Sequence, residues 1–189
     1  KLIERGSKLR GAGKYEEAYD DFSSAIREND KIMAYRIQRG DVLMKLNHQK
    51  KAVDDFEKVA KLGAKAQIRY ANALVSLNQY DKALSVLQSY LASKDRVYRG
   101  DAYLVLAHTY YGKSNFAQAQ RYYRLARAGR LDDRAAICGE ANVLVSMHNY
   151  DTAIRLYNQV LEMDSAYLPA YLGKAVALYG KKEYSEALD

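Results

Sequence analysis

The chain has 189 residues, about half of them apolar (49%), and carries a formal charge of +7. That apolar share can bury a continuous core, yet no apolar run approaches the ~18 residues of a membrane span, which sets membrane insertion aside. The lone cysteine, Cys138, excludes an internal disulfide and makes a cytoplasmic location the default, with an organelle lumen or periplasm left open.

One Pro, eleven Gly and no alternation of β-branched with polar residues predict an all-α fold. The first predicted helix hairpin pairs 2–12 with 15–28 and turns at Gly11-Ala12-Gly13. The second pairs 32–46 with 49–62, and the third pairs 64–77 with 80–92. Ser93-Lys94-Asp95 forms a long junction. The fourth pairs 97–111 with 116–128, and the fifth pairs 132–147 with 150–163. The sixth opens with 167–179, and its second helix, from Tyr184, stops at Asp189. Gly13, Asn47 and Asn78 fall at hairpin turns, where a left-handed residue is wanted at a helix end. Pro169 sits in a first helical turn, where its missing N–H is harmless. The expected layout is a single domain of repeats at about 1–30, 31–62, 63–95, 96–130, 131–165 and 166–189. Lys1 is not a start Met, so a fragment of a longer protein is expected. At the C-terminal end, Leu172, Ala175 and Leu178 are expected to lack half their cover. Further repeats, a capping helix or self-association through this end would supply it.

One skeleton recurs in these hairpins: Gly6, Leu9, Ala18, Phe22; Gly40, Leu43, Ala52, Phe56; Ala71, Leu74, Ala83, Leu87; Ala107, Tyr110, Ala119, Tyr123; Ala141, Leu144, Ala153, Tyr157; and Ala175, Leu178, Ala187. The first small residue and the later Ala are 12 apart in every copy, while successive Ala sites step by 34, 31, 36, 34 and 34. A unit that is constant inside and variable at its junctions, with a period near 34, points to stacked helix hairpins. The small residues belong where two helices cross closely. Tyr supplies 18 of the 21 aromatic residues and is expected to fill inter-helix gaps with its hydroxyl at the edge.

With second helices opening as Tyr15-Glu16-Glu17-Ala18, Tyr80-Asp81-Lys82-Ala83, Phe116-Ala117-Gln118-Ala119 and Tyr150-Asp151-Thr152-Ala153, the chain resembles a tetratricopeptide repeat array over its whole length. It departs from the family where a Pro between repeats is replaced, as at Asp30 and Ser165. The resemblance implies a right-handed superhelical solenoid of antiparallel hairpins, five full repeats and a partial sixth. It also implies a non-catalytic scaffold or adaptor that holds a peptide or helix of a partner protein on its concave face.

That face is lined, by the same resemblance, by the first helix of each hairpin. One residue beyond the small site stand Ser7, Asp41, Asn72, His108, Asn142 and Val176. The amides in this row suit the backbone of an extended peptide, although such residues are equally ordinary on a solvated helix. Lys65 and Arg69 are four apart and share one helix face. In relatives that hold the C-terminal carboxylate of chaperone tails, a Lys and an Arg occupy these two sites. The rest of that clamp is replaced by Ile3, Ser7 and Gln38. Two versions follow: a co-chaperone contact with a free C-terminus, and a broader contact with an acidic peptide. Ile37, Ile68, Leu104 and Tyr111 serve either as apolar pockets or as core.

No cofactor is implied, and no catalytic or metal-binding constellation stands out, since His48, His108 and His148 lie apart from one another and from Cys138. A competing reading rests on charge. Arg121, Arg124, Arg127 and Arg130 recur every three residues, a stripe that suits nucleic acid or an anionic membrane. A solvated outer face explains the same stripe. Tyr123 belongs to the core rhythm, which leaves only Tyr122 to stack on a base, so nucleic acid and membrane rank below a protein partner.

Overall fold

The computed structural model describes residues 2–128 and 133–182. Among them are eleven α-helices, one short 3-10 helix and no strand. The chain divides into two compact units, Lys1–Tyr98 and Arg99–Asp189.

The first unit holds α1 (Leu2–Gly11), α2 (Tyr15–Glu28), α3 (Met33–Lys45), α4 (Gln49–Val59), α5 (Ala64–Ser76) and α6 (Tyr80–Ala92). Consecutive pairs form antiparallel hairpins, and α2 packs on α3 as α4 packs on α5. The second unit holds α7 (Arg99–Gly112), α8 (Phe116–Arg127), α9 (Arg134–Ser146), α10 (Tyr150–Met163) and α11 (Leu168–Lys181). There α8 packs on α9, and α11 packs on both α9 and α10. Tyr184, Ala187 and the expected sixth second helix lie outside the described residues.

The hairpin turns explain the constant spacing. Gly13, Asn47, Asn78, Ser114 and His148 all have φ between 57° and 76°. The next residue then sends its N–H back to the carbonyl five residues earlier: Lys14 to Leu9, His48 to Leu43, Gln79 to Leu74, Asn115 to Tyr110 and Asn149 to Leu144, at 2.8–2.9 Å. This closure satisfies an orphan carbonyl at each helix end. It starts the second helix at a set distance from the first, which is why the recurring Ala always arrives in register. Gly13, Asn47 and Asn78 behave as expected. Ser114 and His148 do the same work without the usual Gly or Asn.

Each second helix presents one apolar stripe. In α2 it is Ala18, Phe22, Ala25 and Ile26, with Glu16 and Glu17 near the positive N-terminal end and Arg27 in the last turn. Ala18, Ala52, Ala83, Ala119 and Ala153 are wholly buried. Phe22, Phe56, Leu87, Tyr123 and Tyr157 follow four residues later and are equally enclosed, each worth about 2 kcal/mol in removed apolar surface. The phenol ends find partners: Tyr157 Oη donates to Asn142 Oδ1 at 2.5 Å, and Tyr90 Oη accepts from Tyr98 N–H at 3.1 Å.

The junctions differ from expectation in detail. The short one after α4 tightens into the 3-10 turn Ala60–Leu62 instead of continuing the helix. The long one reaches Tyr98, because Asp95 accepts from Val97 N–H at 2.9 Å and holds 95–97 in a turn. Helix α7 therefore begins at Arg99, not at 97. The exposed face of α11 also needs correction. Leu178 is buried and Ala175 half-buried, whereas Leu168, Leu172, Val176 and Tyr179 lie open. Packing against α9 and α10 uses the stripe Ala170, Ala177 and Leu178, which turns Leu172 outward.

Candidate functional site

The first helices of the first three hairpins bring Arg10 of α1, Asp41 of α3 and Arg69 of α5 together. Asp41 Oδ1 accepts from Arg69 Nε at 2.5 Å, and Oδ2 accepts more loosely from Arg10 Nη1 at 3.5 Å. These three side chains frame a groove of about 550 Å³, lined also by Tyr15, Met44, Lys45, Phe56 and Asn72. Arg10, Lys45 and Arg69 set three positive charges against the one carboxylate of Asp41, so the groove is cationic by two charges. Its floor is held by core packing. A Cβ on Gly40 would sit 2.6 Å from Phe56 Cε1, so only Gly lets α3 approach α4 closely enough for Phe56 to back the groove.

The expected groove residues separate into three groups. Asp41, Arg69 and Asn72 converge in this groove. Lys65 is exposed one turn before Arg69 and is not part of the lining. Gln38 is half-buried, and its Oε1 is enclosed without a hydrogen-bond partner among the described residues. His108 and Asn142 belong to the second unit. His108 packs edge-on against Tyr123, with ring centroids 5.6 Å apart, and burial holds its imidazole below the usual pKa despite the opposing pull of Asp133. Asn142 is occupied at Oδ1 by Tyr157. Ile68 is core, while Tyr111 is exposed and its hydroxyl meets Ser146 Oγ at 3.2 Å.

Sequence reasoning did not single out Arg10, Lys45, Tyr15 and Met44. Arg10 lies three residues after Ser7, and Lys45 four after Asp41, so both share a helix face with residues already in the concave row. That periodicity was the signal available for them.

The arginine stripe is arranged differently from a free cationic ladder. Arg124 Nε and Arg127 Nη1 both donate to Glu140 of α9, at 2.7 and 2.6 Å, and the Glu140 carboxylate is buried. Two of the four arginines therefore tie α8 to α9. The Arg121 guanidinium stands 5.9 Å from the Tyr122 ring centroid. Arg130 lies outside the described residues.

Among the described residues, no three His, Cys, Asp or Glu side chains are grouped to hold a metal ion, and no helix is long and apolar enough to cross a membrane. Burial pushes the Cys138 thiol up to about 11.

Two family models described as tetratricopeptide repeat match the sequence, one over residues 144–189 and the other over 34–62 and 100–126, together more than half of the chain. No curated protein sequence matches it significantly. Solved structures do. A tetratricopeptide repeat protein from Parabacteroides merdae ATCC 43184 superposes with a TM-score of 0.85 at 18% identity, over 98% of this chain and 73% of that one. The APC/C hetero-tetramer Cut9–Hcn1 gives 0.83 at 17% identity, over 98% of this chain and 37% of that one. YrrB, described as a tetratricopeptide repeat protein with an unusual peptide-binding site, gives 0.57 at 22% identity, over 88% and 87%.

Proposed function

This chain belongs to the tetratricopeptide repeat family, and from that premise we propose that it is a non-catalytic adaptor whose first unit holds an extended peptide segment of a partner protein. The observation that carries this reading is the groove between α1, α3 and α5, open to solvent and lined by the ends of Arg10, Asp41, Lys45, Arg69 and Asn72. Long polar side chains around a shallow apolar floor of Met44 and Phe56 suit a main chain with a few anchoring side groups. The description of YrrB as having a peptide-binding site, and of Cut9 as part of a hetero-tetramer with Hcn1, agrees with a role in which this fold presents a surface to other chains. A chaperone's C-terminal tail is one member of the ligand class, which would make the protein a co-chaperone. The replaced clamp positions Ile3, Ser7 and Gln38 remove much of the reason to prefer it over other acidic segments.

Peptides selected from a displayed random library by the full chain test the reading. They are rebound to Asn72→Trp, which fills the groove, and to Lys51→Glu, an exposed substitution on α4. Loss of binding to the first and retention by the second is the expected result. Peptides that survive Asn72→Trp and are lost to Lys51→Glu place recognition elsewhere and overturn it.

A further inference from the structure

Helix α11 is fixed in one rotation and shows an apolar stripe that the described residues leave uncovered. A Cβ on Gly173 would lie 2.5 Å from Tyr157 Cε1, and one on Gly180 2.6 Å from Tyr150 Cε1, so two rings of α10 lock against this helix. Ala170, Ala177 and Leu178 are buried in the same packing. Leu168, Leu172, Val176 and Tyr179, spaced by 4, 4 and 3, then share a face turned away from it and are 58–67% exposed. The corresponding residues of α9, 34 earlier in the chain, are Arg134, Cys138, Asn142 and Val145. There Arg134 pairs with Asp164 and stands over the Tyr167 ring, and α11 packs on α9. In the fifth hairpin this face is thus met by the hairpin that follows. Its own second helix, α10, clusters instead with Ile137, Ala141 and Leu144. The residues of α11 that match those three are Tyr171, Ala175 and Leu178, so a second helix in the sixth hairpin would meet them and leave the stripe open.

We propose that this stripe docks on the same stripe of a second copy of the chain, in an antiparallel two-fold contact. The inference stands independently of the peptide-groove reading. The stripe is self-complementary, as a two-fold contact requires. Its members are placed symmetrically about the middle of the helix, so an antiparallel pair sets Leu168 against the other copy's Tyr179 and Leu172 against its Val176. No charged residue lies in the stripe, because Lys174 and Lys181 project from the opposite side of the helix. The ends complement each other in the same orientation. Exposed Glu162 precedes the helix and exposed Lys182 follows it, so each copy's Lys182 approaches the other's Glu162. The two helix dipoles are then opposed as well. A parallel pair would crowd Lys182 against its own copy. Four large apolar side chains this open leave on the order of 400 Å² in one patch, more than scattered surface residues amount to. A pair with its rim would bury about 1,000 Å², the lower end of specific interfaces, so the dimer is weak and reversible.

The test is sedimentation equilibrium of the full chain from about 5 to about 500 µM, with a monomer–dimer midpoint expected on the order of 50 µM. Leu172→Glu and Val176→Glu each place a charge in the stripe at an exposed position, and each is expected to weaken dimerisation at least about tenfold. Lys51→Glu, exposed on α4, is expected to leave it unchanged. Matching circular dichroism of the variants shows that the fold is retained. Orientation is read by oxidising an equal mixture of Leu168→Cys and Tyr179→Cys chains, one of them tagged so that the products separate. The native Cys138 is buried and does not compete. The mixed disulfide is expected to dominate over either self-linked product. A wild type that stays monomeric throughout the range overturns the proposal and leaves the face to residues of the same chain or to a different protein. Dimerisation that survives both glutamate variants overturns it by placing the contact elsewhere. Self-linked Leu168→Cys as the main product overturns the antiparallel pairing.

Discussion

Gly139 of α9 is the surface on which Tyr123 of α8 rests: a Cβ at Gly139 would lie 2.1 Å from Tyr123 Cε1. The first unit uses the opposite arrangement. There Gly40 of α3 receives Phe56 from its own hairpin partner α4, sixteen residues later in the chain, whereas Gly139 receives a ring from sixteen residues earlier, in the preceding hairpin. The same kind of close approach thus closes a hairpin in one place and joins two hairpins in the other. Neither ring can retreat, because Phe56 and Tyr123 are both fully enclosed. Gly139→Ala is therefore expected to cost about 2 kcal/mol through overpacking, read as a lower urea midpoint. An unchanged midpoint would mean that α8 and α9 are less tightly packed than described.

The buried carboxylate of Glu140 should have unequal partners. Arg124 is 63% exposed and Arg127 only 29%. Water screens the first contact far more than the second. Arg124→Ala is expected to cost less than about 1 kcal/mol and Arg127→Ala about 1–2 kcal/mol, since losing Arg127 leaves Glu140 with only a screened partner. Chemical denaturation of the two single variants and of Glu140→Ala measures this. Equal losses for the two arginines would contradict the asymmetry.

Acid should weaken the second unit through His108. Burial lowers its pKa in the folded protein, so between about pH 6.5, the ordinary imidazole value, and that depressed value the unfolded chain binds a proton that the folded chain does not. Stability contributed by neutral His108 is complete above this window and declines as pH falls through it. Thermal unfolding of wild type against His108→Phe should show the wild type losing ground on acidification from pH 7 to pH 5. Parallel pH profiles would show that His108 protonates as easily folded as unfolded.

Ser114 occupies the left-handed position between α7 and α8 with φ of 57°, where a Cβ is disfavoured. Ser114→Gly removes that strain at the cost of greater chain entropy when unfolded. A net gain of roughly 0.5–1 kcal/mol is expected, measured as a raised urea midpoint. A loss would show that the Ser side chain contributes something that outweighs the strain.

What the sequence determined by itself is the repeated, local part of the molecule. The twelve-residue step from Gly40 to Ala52, and its copies, identified the helices, their pairing and the wholly buried alanines. Such contacts join residues a few turns apart, and one turn geometry sets their register. Helical periodicity put Arg69 and Asn72, three apart, on one face of α5; that Asp41 of α3 shares a surface with them was implied by the family resemblance. The tertiary structure alone decided what those side chains do. Asp41 meets Arg10 and Arg69 from helices 31 and 28 residues away, and Glu140 captures Arg124 and Arg127 from the neighbouring helix. Whether two charges on separate helices pair depends on ångström differences in how the helices cross. Those crossings are set by which rings and glycines interlock between them, and spacing along the chain does not encode them.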